Sequence, residues 1–442
     1  MKILYYTAPI WLSLLDIILF GLMSAISIIP NTIFLRNLTL ISGALIGLYI
    51  LFKNRHIFSI KNSLPLLLLG LLFLWVLIHY IFISIDPSAQ FKELSSVWKR
   101  VFLSFIFAIG LGLLVPSMNR FGKILLLLGF AATAAVFFFR QMINAFGLEF
   151  GNRFFVINYF DPGSLGYIPK YYFSTFIVPF IAIIYCSIAR VLTWDGKHRI
   201  IFIFVAGVAL FGCIYIFYVT QNKNGILYFL ILTSIFLVYL LRKFHTRISI
   251  RSFLFLGIFA ICTFSTIYLN IVSKPPWSRY VVDTRAALDF GHNDQWKYSG
   301  AKGYPLNELG IPVSTTVYER VTWAIKGSEL LINYPYGYGL VINSFGSLAK
   351  YKWPDSMLTH AHSGWIDLGL AFGFPGLFLL LSSLIIATKN CLHKKNFIIN
   401  SGAWVLPSIS LVFISAEVSE RILLDYLIFL IAFFASASIN VD

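Results

Sequence analysis

Apolar residues run along this chain in long, unbroken stretches. Twelve can be drawn, at about 9–29, 33–52, 64–83, 99–115, 121–139, 171–191, 200–219, 224–241, 252–272, 363–387, 398–415 and 421–438. A helix needs about 20 apolar residues to cross a bilayer. Only helices and closed barrels satisfy their backbone groups in lipid. The stretches lack the period-2 alternation of barrel strands, so they predict helices. The expected fold class is an all-α polytopic membrane protein with about 12 transmembrane helices.

Most connections are short, but two are long, at about 140–170 and 273–361. The second divides the chain. Residues 1–272 hold helices one to nine, 273–361 form a loop or subdomain, and 362–442 hold helices ten to twelve. The 273–361 segment has nine Lys and Arg, seven Asp and Glu, and four of the ten Trp. Its aromatic density argues against disorder. Short helices are expected in it, notably at about 314–333, where Val317, Trp323, Leu330 and Leu331 follow one face. Its Trp and Tyr suit sugar rings, and equally suit a membrane interface.

Composition narrows the class. The chain is 59% hydrophobic and 12% charged, with a mean hydropathy of +0.82. Soluble domains carry about 25% charged residues. A soluble enzyme, a disordered chain and a secreted disulfide scaffold are excluded. The four Cys lack zinc or CxxC spacing. Met1-Lys2 and the first apolar stretch resemble a signal peptide, but no small-x-small cleavage site follows, so a first membrane helix is expected.

The net charge of +16 would suggest nucleic acid in a soluble protein. In a membrane protein it reports cytoplasmic loops and membrane lipids, and no nucleic-acid partner is expected. With a cytoplasmic N-terminus, the inside segments carry 16 basic residues and the outside segments nine, leaving out the long loop. Both termini are therefore expected in the cytoplasm and the 273–361 loop outside.

Three groups of residues could carry chemistry. The first is His360-Ala361-His362-Ser363-Gly364-Trp365-Ile366-Asp367, followed by Gly369, Gly373, Pro375 and Gly376. Two His at i and i+2 do not share a helix face. They predict an extended approach with His362 at a helix start, as base, ligand or cap. The glycines form a small-residue face for close packing, and Asp367 is placed to orient a neighbour. The second is Asn333-Tyr334-Pro335-Tyr336-Gly337-Tyr338-Gly339, preceded by Arg320 and Trp323. Arg is the preferred phosphate partner, and it is also common as a solvated helix residue. The third is Gln221-Asn222-Lys223-Asn224-Gly225, a polar turn at the external mouth of two apolar stretches. Lys223 is there a functional cation or one that snorkels to headgroups. Asp16, an acid inside the first stretch, takes no assigned role. Glu417, Glu420 and Arg421 are expected to cap or pair within the last external turn.

On these residues the sequence resembles the O-antigen ligase (WaaL) family of bacterial membrane glycosyltransferases. That family lies within the wider group sharing a Wzy_C-type domain. The resemblance is densest over about 217–377. Its signature of His and Gly with ten residues between them matches His362 and Gly373. Its signature of Arg and Leu with three residues between them meets Lys223 and Leu227, so Lys stands where the family usually has Arg. The charge is kept and the bidentate fork is lost. A further pattern of Arg, Trp and Pro-x-Gly-x-Gly matches Arg320, Trp323, Pro335, Gly337 and Gly339.

The resemblance implies a GT-C-like bundle. It implies an undecaprenyl-diphosphate-linked glycan as donor and the lipid A-core as acceptor, on the periplasmic face of the bacterial inner membrane. His362 is then the expected general base, with Arg320 and Lys223 also catalytic. Arg153, His360, Gly337, Gly339 and Trp323 are expected to bind donor diphosphate or substrate, with Gly373 and Asp367 as structural motif residues. No cofactor and no metal are expected, because no DxD-like pair or nucleotide loop is visible at the external mouth. An O-antigen or capsule polymerase is the nearest alternative, and a polysaccharide transporter or flippase a more distant one. A protein O-oligosaccharyltransferase usually carries a further soluble C-terminal domain, and this chain stops just after its last apolar stretch.

Overall fold

The structure, a computed structural model, describes residues 9–29, 32–145, 168–192, 199–244, 257, 265, 279–290, 293–416 and 421–439. The chain is an all-α, multi-pass membrane protein. Among the described residues, eight helices are long and apolar enough to cross a membrane. Three more apolar helices are shorter, at Ile10–Ile26, Phe397–Val412 and Ile422–Ala437. The expected span at 252–272 lies almost wholly outside the described residues.

In chain order the apolar helices are α1 (Ile10–Ile26), α2 (Ile33–Lys53), α3 (Leu64–Phe82), α5 (Lys99–Leu114), α6 (Arg120–Ala145), α7 (Lys170–Val191), α8 (Arg199–Val219) and α9 (Lys223–Phe244), then α13 (Gly364–Cys391), α14 (Phe397–Val412) and α15 (Arg421–Ala437). A short α4 (Pro87–Glu93) precedes α5 and continues into it through one wide turn, Leu94–Trp98. The expected fourth span, 99–115, is thus the second half of one 31-residue helical run.

α15 is the axis of the bundle. Leu423, Leu424 and every residue from Leu427 to Phe434 are 0% exposed. A helix that is apolar all round is one buried all round. It packs most closely on α5, and α5 in turn on α2. In lipid, helices associate by close packing rather than by escape from water. Accordingly α2 and α5 touch backbone to backbone at Gly47 and Gly110, where a Cβ on either glycine would collide with the other helix. α8 lies at the rim and turns Phe204, Phe211 and Tyr218 outward.

Residues 279–290 and 293–361 form a helical subdomain whose apolar core is shared with Leu370 of α13. It holds α10 (Tyr280–Leu288), α11 (Thr315–Asn333) and α12 (Ser344–Lys352). Trp296, Tyr318, Trp323, Leu330, Phe345 and Leu348 are buried together there. The expected helix at 314–333 is α11. Of the four Trp in this segment, Trp277 lies outside the described residues and Trp353 is half-buried. Trp296 and Trp323 are each 3% exposed and are core residues, and the Trp323 Nε1 donates to the Trp296 carbonyl at 2.9 Å. Asp283, fully buried on α10, accepts from Asn307 Nδ2 at 2.8 Å and from Ser314 N at 3.0 Å, which ties α10 to the start of α11.

Candidate functional site

The subdomain meets the bundle at a break in α13. Pro375 has no N–H, so the Ala371 carbonyl loses its helical donor. Gly373 adopts φ 68° and ψ −174°, a conformation open in practice only to glycine. The Phe374 N–H turns away to donate to the Pro335 carbonyl at 2.8 Å, which frees the Leu370 carbonyl as well. Buried carbonyls require partners, and the 335–339 segment supplies them. Tyr338 N donates to Leu370 O at 2.7 Å and Gly339 N to Ala371 O at 2.8 Å.

Gly337 (φ 81°) and Gly339 (φ 94°) make this approach possible. A Cβ on Gly337 would lie 2.6 Å from Gly373 N, and one on Gly339 would lie 2.5 Å from Gln90 Oε1. From the bundle, Trp75 Nε1 donates to Phe372 O at 2.7 Å. The His79 Nε2 lies 3.4 Å from the Gly337 carbonyl, and Gln90 Nε2 lies 3.2 Å from His79 Nδ1. If Nε2–H donates to the carbonyl, Nδ1 accepts from the Gln90 amide, so one tautomer satisfies both. Glu93 completes the lock, accepting from Val341 N at 2.7 Å and Ile342 N at 2.8 Å. Gly337, Gly339 and Gly373 are therefore joined to one another by backbone geometry.

Just before α13 the chain makes the turn that carries the histidines. His362 adopts φ 53°, the left-handed region, rather than the extended approach expected of it. A β-carbon there costs about 1 kcal/mol, and the surroundings hold the turn in place. Asp367, buried, accepts from Ala361 N through Oδ1 at 2.9 Å, and its own N–H donates to Ser363 O at 2.9 Å. The half-buried His362 ring stacks on Trp323 with centroids 5.0 Å apart and planes 17° apart. His360 meets it edge-on at 5.1 Å.

α11, through Thr316 and Arg320, also borders a cavity of about 380 Å³. Lys223 and Arg320 both line it, and so does Lys170. No Asp or Glu is among the described residues that line it. Two helices begin at its wall, α7 at Lys170 and α9 at Lys223. Helix N-termini carry partial positive charge and favour anions. Asn222 fastens the two starts together. Its Nδ2 donates to Lys170 O at 2.7 Å and Ser174 Oγ at 2.9 Å, while its Oδ1 accepts from Gly225 N at 2.9 Å. Across the cavity, Asn224 Nδ2 donates to Ser415 Oγ at 2.8 Å, and Tyr228 shares a short hydrogen bond with the same hydroxyl.

His362 does not line the cavity. α11 connects the two: Arg320 faces the cavity, and Trp323, one turn on, carries the His362 ring. α13 is tied to the same wall, because Trp365 Nε1 donates to Ser410 O at 2.9 Å on α14, just before cavity residues Val412 and Ser415.

The expected site residues thus fall into three adjoining groups. Lys223 and Arg320 share the cavity. His360, His362, Trp323 and Asp367 share the turn. Gly337, Gly339 and Gly373 share the lock. Arg153 lies outside the described residues, as do Glu417 and Glu420. Asp16 is fully buried in α1 and belongs to none of the three groups. Lys170, Ser415 and Glu93 carry no signal in the sequence motifs above, and Asn222 stands there only as part of the polar turn around Lys223. Lys170 and Asn222 sit at starts of apolar runs, the one available signal. Among the described residues no group of three His, Cys, Asp or Glu is placed to hold a metal ion. No protein-family model matches the chain, and no curated protein matches it.

Proposed function

We propose that this protein is an O-antigen ligase. It transfers undecaprenyl-diphosphate-linked O-antigen to the lipid A-core, on the periplasmic face of the bacterial inner membrane. In this reading the bundle has twelve spans of GT-C-like arrangement, and both termini lie in the cytoplasm. The observation that carries the reading is the cavity with three cations, two helix starts and no described acid in its lining, bordered by α11, on which Trp323, about one turn from Arg320, carries the ring of a histidine held in a strained backbone turn.

The chemistry follows from the charges. The acceptor hydroxyl attacks the anomeric carbon of the donor sugar while His362 takes the hydroxyl proton. The bond from that carbon to the diphosphate oxygen breaks, and the electron pair leaves with the lipid diphosphate. Negative charge grows on the leaving oxygen, where Arg320, Lys223 and Lys170 attract it. Attack from the opposite side inverts the anomeric centre. No step calls for a metal ion, so transfer continues in a chelator.

Deleting the gene in its host and running lipopolysaccharide on a gel tests the reading. A ligase leaves core without O-chain while lipid-linked polymer accumulates. Core bearing a single repeat indicates a polymerase instead, and an unchanged ladder refutes both. His362→Ala is expected to reproduce the deletion with the protein still present in the membrane.

A further inference from the structure

We propose that Ser415 is a further binding residue for the donor diphosphate, a neutral hydroxyl donor aimed by Asn224 and Tyr228. The inference rests on the transfer proposed above and adds an uncharged group to its cavity.

α9 prepares the position. Asn224 and Tyr228 are four residues apart, so they lie on one face of α9, just inside its start at Lys223. Both line the cavity, as does Ser415. Asn224 Nδ2 donates to Ser415 Oγ at 2.8 Å, and the buried Tyr228 shares a hydrogen bond with the same oxygen. Ser415 follows α14 in a turn that α13 holds. Trp365 N donates to Phe413 O at 3.3 Å, and the Trp365 and Phe413 rings pack with centroids 5.6 Å apart. Trp365 is the third residue after His362, so the start of α13 places both the His362 turn and the Ser415 turn.

The hydroxyl protons have two arrangements. A serine hydroxyl carries one proton and accepts two hydrogen bonds, and a tyrosine hydroxyl has one proton to give. In the first arrangement Tyr228 donates to the Val412 carbonyl at 3.2 Å, and Ser415 donates to Tyr228. In the second, Tyr228 donates to Ser415. Ser415 then accepts from both Asn224 and Tyr228, and its own proton turns to the cavity it lines. The second arrangement orphans no carbonyl, because Val412 O still accepts from Ala416 N at 3.0 Å and from Ser415 N at 3.2 Å. Buried polar groups are thus paired in either case. The exchange takes rotations about two C–O bonds and moves no proton from one oxygen to another.

A phosphate oxygen entering the cavity selects the second arrangement. It accepts from the Ser415 O–H, in a hydrogen bond strengthened by the charge on the acceptor and by the bond Ser415 receives from Tyr228. Lys223 attracts the diphosphate as a point charge on a flexible stem. A hydroxyl held by two partners fixes where one oxygen sits. Ser415 is therefore the binding residue, and Asn224 and Tyr228 position it.

The test is equilibrium binding of undecaprenyl diphosphate to the purified full-length protein, read as a double-mutant cycle over Ser415→Ala and Tyr228→Phe. Ser415→Ala is expected to weaken binding about tenfold, the size of one hydrogen bond to a charged group. Tyr228→Phe keeps the ring and leaves the Ser415 proton unaimed, and it weakens binding about threefold, the factor for a hydroxyl free among three staggered positions. In the Ser415→Ala background Tyr228→Phe has no further effect, because Tyr228 acts through Ser415. A residue that only supports the fold shifts affinity equally in both backgrounds. Unchanged affinity in Ser415→Ala overturns the proposal, and so does an equal Tyr228→Phe effect with and without Ser415. Tyr228→Phe is nearly isosteric, so unchanged affinity in that variant alone also overturns it. Arg320→Ala separates this inference from the reading beneath it. If Arg320→Ala weakens binding and Ser415→Ala does not, this inference fails alone; if neither does, the diphosphate cavity fails with it.

Discussion

The cavity and the glycine lock carry residues of comparable sequence prominence and use them in opposite ways. At the lock, Gly337, Gly339 and Gly373 are spent on backbone contact: a Cβ on any of them meets main chain or a buried side chain. At the cavity, Lys223 is exposed and Arg320 half-buried, and both face open volume. A sequence signature therefore mixes residues that build a junction with residues left available to a ligand. Substitution separates them, because the first kind answers in stability and the second in binding or transfer.

The largest effect is expected at the break in α13. Gly373→Ala puts a side chain into a glycine-only conformation and against the Pro335 carbonyl. Strain and overpacking together cost about 3 kcal/mol or more. A sharp fall in folded yield, or in the thermal midpoint by fluorescence-detected size exclusion, checks this. Arg320→Ala comes next and inverts the pattern. Its thermal midpoint is expected to stay near wild type, while transfer in reconstituted vesicles falls about 100-fold, the usual loss for one charge-stabilising group. A destabilised Arg320→Ala protein breaks the comparison.

Glu93→Gln sharpens the lock side. Glu93 accepts two buried backbone N–H groups with a carboxylate, and an amide offers one acceptor oxygen. The expected cost is about 2 kcal/mol, read as a lower unfolding midpoint. The smallest effect lies at the subdomain surface. Glu329 is clasped by Lys352 and Lys326, and the Lys352 hydrogen bond, followed by the Lys326 contact, holds its carboxyl below the ordinary range. A depressed carboxyl stabilises the fold above its unfolded pKa of about 4.3. That contribution is lost as pH falls through the folded value. The site is more than a third exposed, so a few tenths of a kcal/mol are at stake. Glu329→Gln is expected to remove this part of the acid sensitivity in a pH series of melting curves.

Much of the fold was legible because its signal is local. Unbroken apolar runs mark helices wherever water is absent, and the face of Val317, Trp323 and Leu330 marked α11 inside the long loop. The junction was not legible, because it depends on pairing 335–339 with 370–374 through hydrogen bonds that no local pattern encodes. Pro375 and Gly373 hinted at a broken helix, but not at what fills the break. Trp323 suited a sugar platform and a membrane interface alike, because aromatic residues in a long loop have several uses. Only the tertiary core shows it buried, with one face under His362. His79 is a polar residue within an apolar run, and its partner, the Gly337 carbonyl in the lock, lies 258 residues away. Lys223 and Arg320 were legible as cations. Lys170 was not, because its role comes from Asn222 drawing two helix starts together.

The central claim is that the three-cation cavity holds a lipid diphosphate. The most direct test is equilibrium binding of undecaprenyl diphosphate to the purified protein, compared across wild type, Lys223→Ala and Arg320→Ala. Each substitution is expected to weaken binding about tenfold or more while the melting curve stays unchanged. Equal affinity in all three proteins contradicts the account.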